Sequence, residues 1–244
     1  MRAIFLGTGG FHPNERRHTA CVLLPEMGVA FDAGTSVFRL AERMPACDLQ
    51  IFLSHAHLDH ICGLTYLLVP LLQNELRSCR VHGSPATLDA VCEHLFSPPV
   101  FPVLPRFEFV PLAERVALPG GTLTWTPLMH PGGSVGYRID RDDGRSLAYI
   151  TDAYEDGSYV DFIRGVDVLI HECNFPDSLA QWCQSTGHSH TSQVARLANT
   201  AGVGRLYLTH IDPRRPDDDP IDLAAARAIF PATDLAEDLL EIEW

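Results

Sequence analysis

Directly after the apolar run Leu49–Leu53, the chain reads His55-Ala56-His57-Leu58-Asp59-His60, three imidazoles and a carboxylate within six residues. Packing alone does not account for such a cluster, so the fold must bring a buried strand to an end at a place where these side chains can act together. In an extended segment His55 and His57 project to the same side, so one metal ion can take both, while Asp59 and His60, beyond the bend, can address a second ion nearby. Four donors do not complete two coordination spheres, so further ligands are expected at the ends of later strands. Three positions qualify. His130 ends the run Thr122–Met129, Asp152 follows Leu147–Ile150, and His210 follows Leu206–Leu208. A strand-end Asp or His is usually a turn former, but the shared placement of these three makes them a set.

Composition narrows the setting. With 244 residues, 46% hydrophobic and 20% charged, the chain is long enough to bury a large core without staples, so a metal here serves chemistry. One domain spanning 1–244 is expected, because there is no internal repeat of fixed period and no Gly/Ser-rich linker. Eighteen Lys and Arg against 31 Asp and Glu give a formal net charge of −13. That balance argues against duplex nucleic acid and for a small-molecule or short single-stranded substrate. The seven cysteines form no C-x-x-C pair and read as reduced, mostly core thiols of a cytoplasmic protein. The N-terminus has no secretory pattern, and the longest apolar stretch, Ile61–Leu72, is too short to span a bilayer, so no membrane association is expected.

The coarse order of elements is mixed α/β. Strand-like runs at Ala3–Leu6, Thr19–Leu24 and Val29–Asp32 suggest an antiparallel meander. A helical pattern from Val37 to Met44 stops at Pro45, and helices are expected from about Ile61 and over Pro85–Phe96, the latter capped by Ser84. Ser97–Pro105 is a stiff Pro-rich loop. A second strand series covers Arg106–Val110, Arg115–Leu118, Thr122–Pro127, Val135–Ile139 and Arg145–Ile150, the last pair joined at Asp142-Asp143-Gly144. A strand at Val168–Ile170, a helix over Thr191–Thr200 and a strand at Arg205–Leu208 follow. The acidic segment Asp212–Pro220 reads as a solvated connection. Two sheets, each with helices on an outer face, are the natural arrangement.

The order His-x-His-x-Asp-His, His, Asp, His resembles that of the metallo-β-lactamase fold superfamily, whose members form a four-layer αββα sandwich. The resemblance implies that one divalent ion takes His55, His57 and His130, that the other takes Asp59, His60 and His210, and that Asp152 bridges them. A carboxylate has two oxygens with which to bridge, and two cations lower the pKa of a bound water far enough to supply hydroxide near neutral pH. Zinc is the expected metal, with manganese or iron as alternatives. Four further features resemble the ribonuclease Z and cyclic phosphodiesterase branch: Leu6-Gly7-Thr8-Gly9-Gly10, Gly136-Tyr137-Arg138-Ile139, Leu169-Ile170-His171-Glu172 and Gly187-His188-Ser189. That likeness makes Glu172 and His188 a proton relay to the leaving oxygen, with His190 as a rival to His188, and adds Asp59 to the catalytic set.

Two departures bear on the substrate. Ribonuclease Z enzymes that process tRNA carry a long arm between the third His and the bridging Asp, whereas His130 and Asp152 here are only 22 positions apart. The N-terminal cysteine cluster of the phosphonate-pathway cyclic phosphodiesterases is also missing. The expected function is therefore a dinuclear metallohydrolase acting on a phosphodiester. Alternatives are a lactone or thioester hydrolase, an iron-dependent oxidoreductase of the same fold, and a tRNA 3′-processing endonuclease without the usual arm. A homodimer is compatible with the sequence. His82 and His94 read as ordinary surface or core residues, and His171 should face away from Glu172 along the strand. His12, Arg17 and His18 could hold a substrate phosphate, and Phe101 could either wall a pocket or pack a surface loop.

Overall fold

Among the described residues, backbone hydrogen bonding sorts the strands into two seven-stranded mixed sheets built by one rule: an antiparallel ribbon that continues into parallel strands. The computed structural model describes residues 1–44, 48–215 and 217–244. The predicted helix stop at Pro45, and Cys47 among the cysteines, lie outside these residues. The chain divides into two compact units, 1–113 with 238–243, and 114–237 with Trp244.

In the first unit, β1 (Arg2–Gly7), β2 (Cys21–Leu24) and β3 (Val29–Phe31) form the expected antiparallel meander. Strands β4 (Asp48–Phe52), β5 (Ser78–Gly83) and β6 (Phe107–Pro111) then add in parallel, and the C-terminal strand Glu241–Glu243 pairs with the outer side of β1. Strands β2 and β3 are buried throughout, so they read as continuous apolar runs, as strands covered on both faces do. Leu6, Leu23, Ile51 and Val81 meet Val37, Leu40, Leu64, Leu67 and Leu88 from the flanking helical segments in one core.

Those segments differ from their expected regular helices. Thr35–Arg39 and Ala41–Arg43 are 3₁₀ turns, and the stretch after the histidine cluster runs as α (Leu58–Ile61), 3₁₀ (Cys62–Leu67) and α again (Leu68–Leu72). The reason is competition for backbone groups. Ala33 N donates to His60 O at 2.7 Å, and Gly63 N donates to Ala33 O at 2.8 Å, so the loop after β3 takes bonds that an uninterrupted helix would use. Gly63 is required there, because a Cβ would fall 2.1 Å from the Gly34 carbonyl oxygen. The helix opened by Ser84 begins as predicted, the Ser84 hydroxyl accepting from Thr87 N, but it widens to a π turn over Val91–Leu95.

In the second unit, β7 (Arg115–Leu118), β8 (Gly121–Leu128), β9 (Ser134–Arg141) and β10 (Ser146–Ile150) are antiparallel, and β11 (Val168–Glu172), β12 (Arg205–Thr209) and β13 (Thr233–Leu235) continue in parallel. The helix Thr191–Ala201 buries Val194, Ala198 and Ala201, one face at helical spacing, against Leu169, Leu206 and Leu208. Gly202, with φ of 65°, ends it. No helix among the described residues is long and apolar enough to cross a membrane. The six described cysteines are free thiols, and burial pushes those of Cys21 and Cys173 up.

One carboxylate ties the Gly-rich turn after β1 to its neighbours. Asp238 accepts from Thr8 N and Oγ1, from His18 N and from Arg39 Nη1, at 2.6–3.0 Å, and its side chain is 7% exposed. Removing it leaves a largely covered guanidinium and backbone donors without their acceptor. Asp238→Ala should therefore lower unfolding free energy by about 2–4 kcal/mol in urea titration. A change within ~0.5 kcal/mol would show that the hub carries no such stabilisation.

Candidate metal centre

In each sheet the candidate chemistry falls at the C-terminal ends of strands, where parallel neighbours leave their last residues outside the ladder. Strand β4 ends at Phe52, and Leu53 and Ser54 lead out of the sheet into the histidine cluster. Asp32, at the matching end of β3, sits at φ 58°. Its carboxylate accepts from Ser54 N at 2.7 Å, from Ser54 Oγ at 2.9 Å and from His60 Nδ1 at 2.9 Å. The Ser54 hydroxyl has a single proton, engaged by Asp32, so its 3.0 Å contact with His55 Nδ1 is one in which the imidazole donates. Both rings consequently keep the lone pair on Nε2. His55 lies 4.4 Å from His57 and 4.3 Å from His60 between ring centroids, and His60 Nε2 is 3.4 Å from Asp59 Oδ2. Asp59 is steadied by Phe11 N at 2.7 Å, and His57, in extended backbone before the helix that carries Asp59, is exposed.

The second unit contributes its own set. His130 Nδ1 donates to the Gly187 carbonyl at 2.8 Å, again leaving the lone pair on Nε2. Gly187 is needed at φ 73°, since a Cβ would lie 2.2 Å from Pro131 Cδ and 2.8 Å from His130 Nδ1. Asp152 meets one imidazole at each oxygen, His210 Nε2 at 3.0 Å from Oδ1 and His130 Nε2 at 3.6 Å from Oδ2. Two donors about 2.1 Å from a tetrahedral ion are about 3.4 Å apart, so these separations match the spacing that two ligands of one ion would need. Asp152, His188 and His210 offer ligand atoms within 4.8 Å of one another. Their donor types, imidazole and carboxylate, suit a divalent cation of borderline softness.

Glu172 is wholly buried and accepts four hydrogen bonds. Oε1 takes Ala153 N, His188 Nδ1 and Ser189 N at 3.0–3.1 Å, and Oε2 takes Asn174 N at 2.9 Å. The half-buried His188 ring lies 5.4 Å from that of His210 in a stacked geometry and 5.2 Å from that of His130. His190 points elsewhere, with Nδ1 2.7 Å from Asp177 Oδ1. His171 faces away from its neighbour as expected, its Nε2 taking the Tyr159 hydroxyl at 2.9 Å. Burial lowers the pKa of the His171 imidazole and, for His82 stacked on Phe52, brings it down to about 4.

Several expectations change at this level. Arg17 is buried, with Nη1 2.6 Å from Thr8 Oγ1, so its guanidinium serves the interior rather than a substrate phosphate. The His18 ring likewise engages Thr35 Oγ1 at 3.2 Å. Phe101 packs on Phe96 within the first unit's core, the surface-loop alternative. Supporting residues that the sequence analysis does not single out are Asp32, Ser54 and Asn174, whose Nδ2 donates to His210 O. Asp32 had one local signal, an acidic residue directly ending an apolar strand.

The family of β-lactamase superfamily domains matches residues 29–211, a stretch that runs through both units. The chain belongs to this superfamily. Ribonuclease Z of Bradyrhizobium sp. (strain ORS 278) is 30% identical over 296 aligned positions, covering 96% of this chain and 97% of the relative. Among solved structures, the metallo-β-lactamase fold protein YhfI from Bacillus subtilis aligns with a TM-score of 0.82 at 22% identity, covering 100% of this chain and 98% of the other. The short form of human tRNase Z gives 0.76 at 23% identity, covering 100% and 99%. The fold is thus the metallo-β-lactamase fold and the protein a metal-dependent hydrolase, with a His and Asp cluster able to hold metal.

Asp32 provides a direct check on how the imidazoles are held. Asp32→Asn keeps a residue that tolerates left-handed backbone but removes the charge facing His60 Nδ1. It should weaken zinc binding by roughly 10–100-fold in competition with a chromophoric chelator, with little change in circular dichroism. Unaltered affinity would count against His60 as a metal donor oriented by Asp32.

Proposed function

We propose that the protein is a dinuclear phosphodiesterase acting on a nucleotide diester in a small or single-stranded substrate. The observation that carries this reading is the Glu172–His188 pair lying beside Asp152 and His210, in a chain whose relatives are ribonucleases Z. His55, His57 and His130 would hold one ion and Asp59, His60 and His210 the other, with Asp152 serving both through its two oxygens. When bound, two divalent cations supply an activated water and neutralise the non-bridging oxygens of a diester. Zinc fits the imidazole-rich donor set. His188, with Nδ1–H held by Glu172, presents Nε2 for delivering a proton to the departing oxygen, and four hydrogen-bond donors hold the buried Glu172 carboxylate in place. Asp59, held by Phe11 N, belongs to both the metal-binding and the catalytic set.

The relatives' names favour a second reading, cleavage of precursor tRNA. Against it, the 21 residues between His130 and Asp152 consist of the β9–β10 hairpin and short connections, with no room for a gripping arm. The net charge of −13 also disfavours an extended phosphate-tracking surface. A panel on one metal-loaded preparation separates the readings. Bis-p-nitrophenyl phosphate and short RNA should be turned over well, and precursor tRNA inefficiently. Turnover of lactones or thioesters far above diesters would shift the assignment to carboxyl chemistry, and efficient, specific tRNA cleavage would shift it to RNA maturation.

Elemental analysis of carefully loaded protein should find two metal ions per chain, and Asp152→Ala should lower occupancy at both positions together. A firm stoichiometry of one with full activity would overturn the dinuclear reading.

His188→Ala should retain metal yet lower turnover by roughly 10²–10⁴-fold on diesters with an alkyl or ribose leaving group. Nitrophenolate leaves without much protonation, so loss on an aryl ester should be far smaller. Equal losses on both, or loss of metal, would remove His188 from the acid role, and the same assay on His190→Ala checks the neighbouring ring.

A further inference from the structure

The second unit contains a cleft of about 660 Å³ that the proposed chemistry leaves unused. Its volume lies within the range of small-molecule sites. Its walls come from the segments on either side of the His188–His210 stack. Phe175 lines it while its ring also meets the His188 ring edge-on at 6.2 Å, Thr186 lies two residues before His188, and Asp212 lies two residues after His210. Sequence patterning made Asp212–Pro220 a solvated connection. Asp217, Asp218 and Asp219 are exposed as that reading expects, but Asp212 is buried, and Arg214, Arg215 and Asp217 line the cleft.

Two features of the lining are unusual for a plain surface fold. Trp182 is 54% exposed, yet its backbone is pinned, its carbonyl accepting from Ser185 Oγ at 3.0 Å and Thr186 Oγ1 at 2.9 Å. A large aromatic side chain on a fixed turn is a ready stacking platform, with little order left to impose on binding. The basic pair is divided in its duties. Asp212 accepts from Arg214 N, Nε and Nη2 at 2.8–3.0 Å, so the buried carboxylate and the Arg214 guanidinium neutralise each other. Arg215 N donates to Asp212 O and closes the turn, and its Nε has no hydrogen-bond partner among the described residues. A guanidinium and an exposed indole lining one cleft suit a ligand that brings both a flat ring and an anionic oxygen.

We propose that this cleft is a nucleoside subsite, in which the base next to the scissile diester stacks on Trp182 and a phosphate of the same nucleoside is met by Arg215. The inference rests on the phosphodiesterase reading for its substrate class. It goes further in naming what the enzyme holds beside the bond it cuts and which residues set that preference. Trp182 and Arg215 are positioning residues, since neither is assigned to the reacting atoms.

The test uses metal-loaded enzyme and two diesters with one leaving group, the p-nitrophenyl ester of thymidine 5′-phosphate and methyl p-nitrophenyl phosphate. The ratio of their KM values is the readout. Wild type should favour the nucleoside ester roughly 10-fold, Trp182→Ala should bring the ratio close to one, and Trp182→Phe should keep most of the preference. Adding a 3′-phosphate to the thymidine ester should lower KM further in wild type, and Arg215→Gln should abolish that extra gain. A second measurement needs no turnover. Guanosine 5′-monophosphate should quench tryptophan fluorescence of the metal-free protein, and quenching should vanish in Trp182→Phe, because Trp125 and Trp244 do not line the cleft. Cleavage of both esters with a ratio unmoved by Trp182→Ala, or quenching that survives Trp182→Phe, would overturn the subsite. Failure to cleave either ester would instead overturn the phosphodiesterase reading, and the fluorescence titration would still decide the cleft.

Discussion

An acceptor for the proton on one imidazole nitrogen fixes which nitrogen keeps its lone pair and where it points, and this organises the interior around the histidines. His60 gives its Nδ1 proton to Asp32, His55 to Ser54, His130 to the Gly187 carbonyl and His188 to Glu172. Each acceptor fixes a tautomer and a ring direction together. The acceptors in turn dictate backbone. Asp32 adopts left-handed φ at the end of β3, and Gly187 packs against His130 where no side chain fits. The helix after the histidine cluster also gives up regular hydrogen bonding so that Ala33, beside Asp32, can bond to it.

The residues proposed as metal donors are visible in the sequence because they obey two local rules. They follow apolar strands, and their types, imidazole and carboxylate, are seldom crowded together for packing. The strands were legible for a similar reason, since apolar runs bounded by Gly, Pro and Asp seldom form anything else. The helical stretches were not, and the cause is physical. Apolar spacing over Val37–Met44 and Ile61–Leu72 reports a buried face, whereas 3₁₀ or α geometry is decided by which carbonyl each N–H finds. At Gly63 that carbonyl is Ala33 O, 30 residues away in sequence. Asp32 escaped for the same reason, because its role lies in a contact with His60 that no short window contains.

The segment Asp212–Pro220 is solvated over Asp217–Asp219 but not at its start. Its acidic, Pro-rich composition suggests solvation, yet Asp212 is consumed by the Arg214 backbone and guanidinium, and the turn it closes carries Arg215 into a cleft. Net charge belongs to the whole chain, whereas recognition depends on which carboxylates are already satisfied. A strongly acidic protein can therefore present a local cation beside an aromatic ring.

The β9–β10 hairpin has a geometric consequence for how such a protein could change its range. His130 and Asp152 flank its open end, while the turn at Asp142–Gly144 lies at the far end of the strands, roughly 25 Å of extended chain from Asp152. Segments grafted at that tip would be displayed at a distance while the ladder between β9 and β10 keeps the ligand end in register. The hairpin is thus a place where the chain could lengthen without disturbing the residues at its open end.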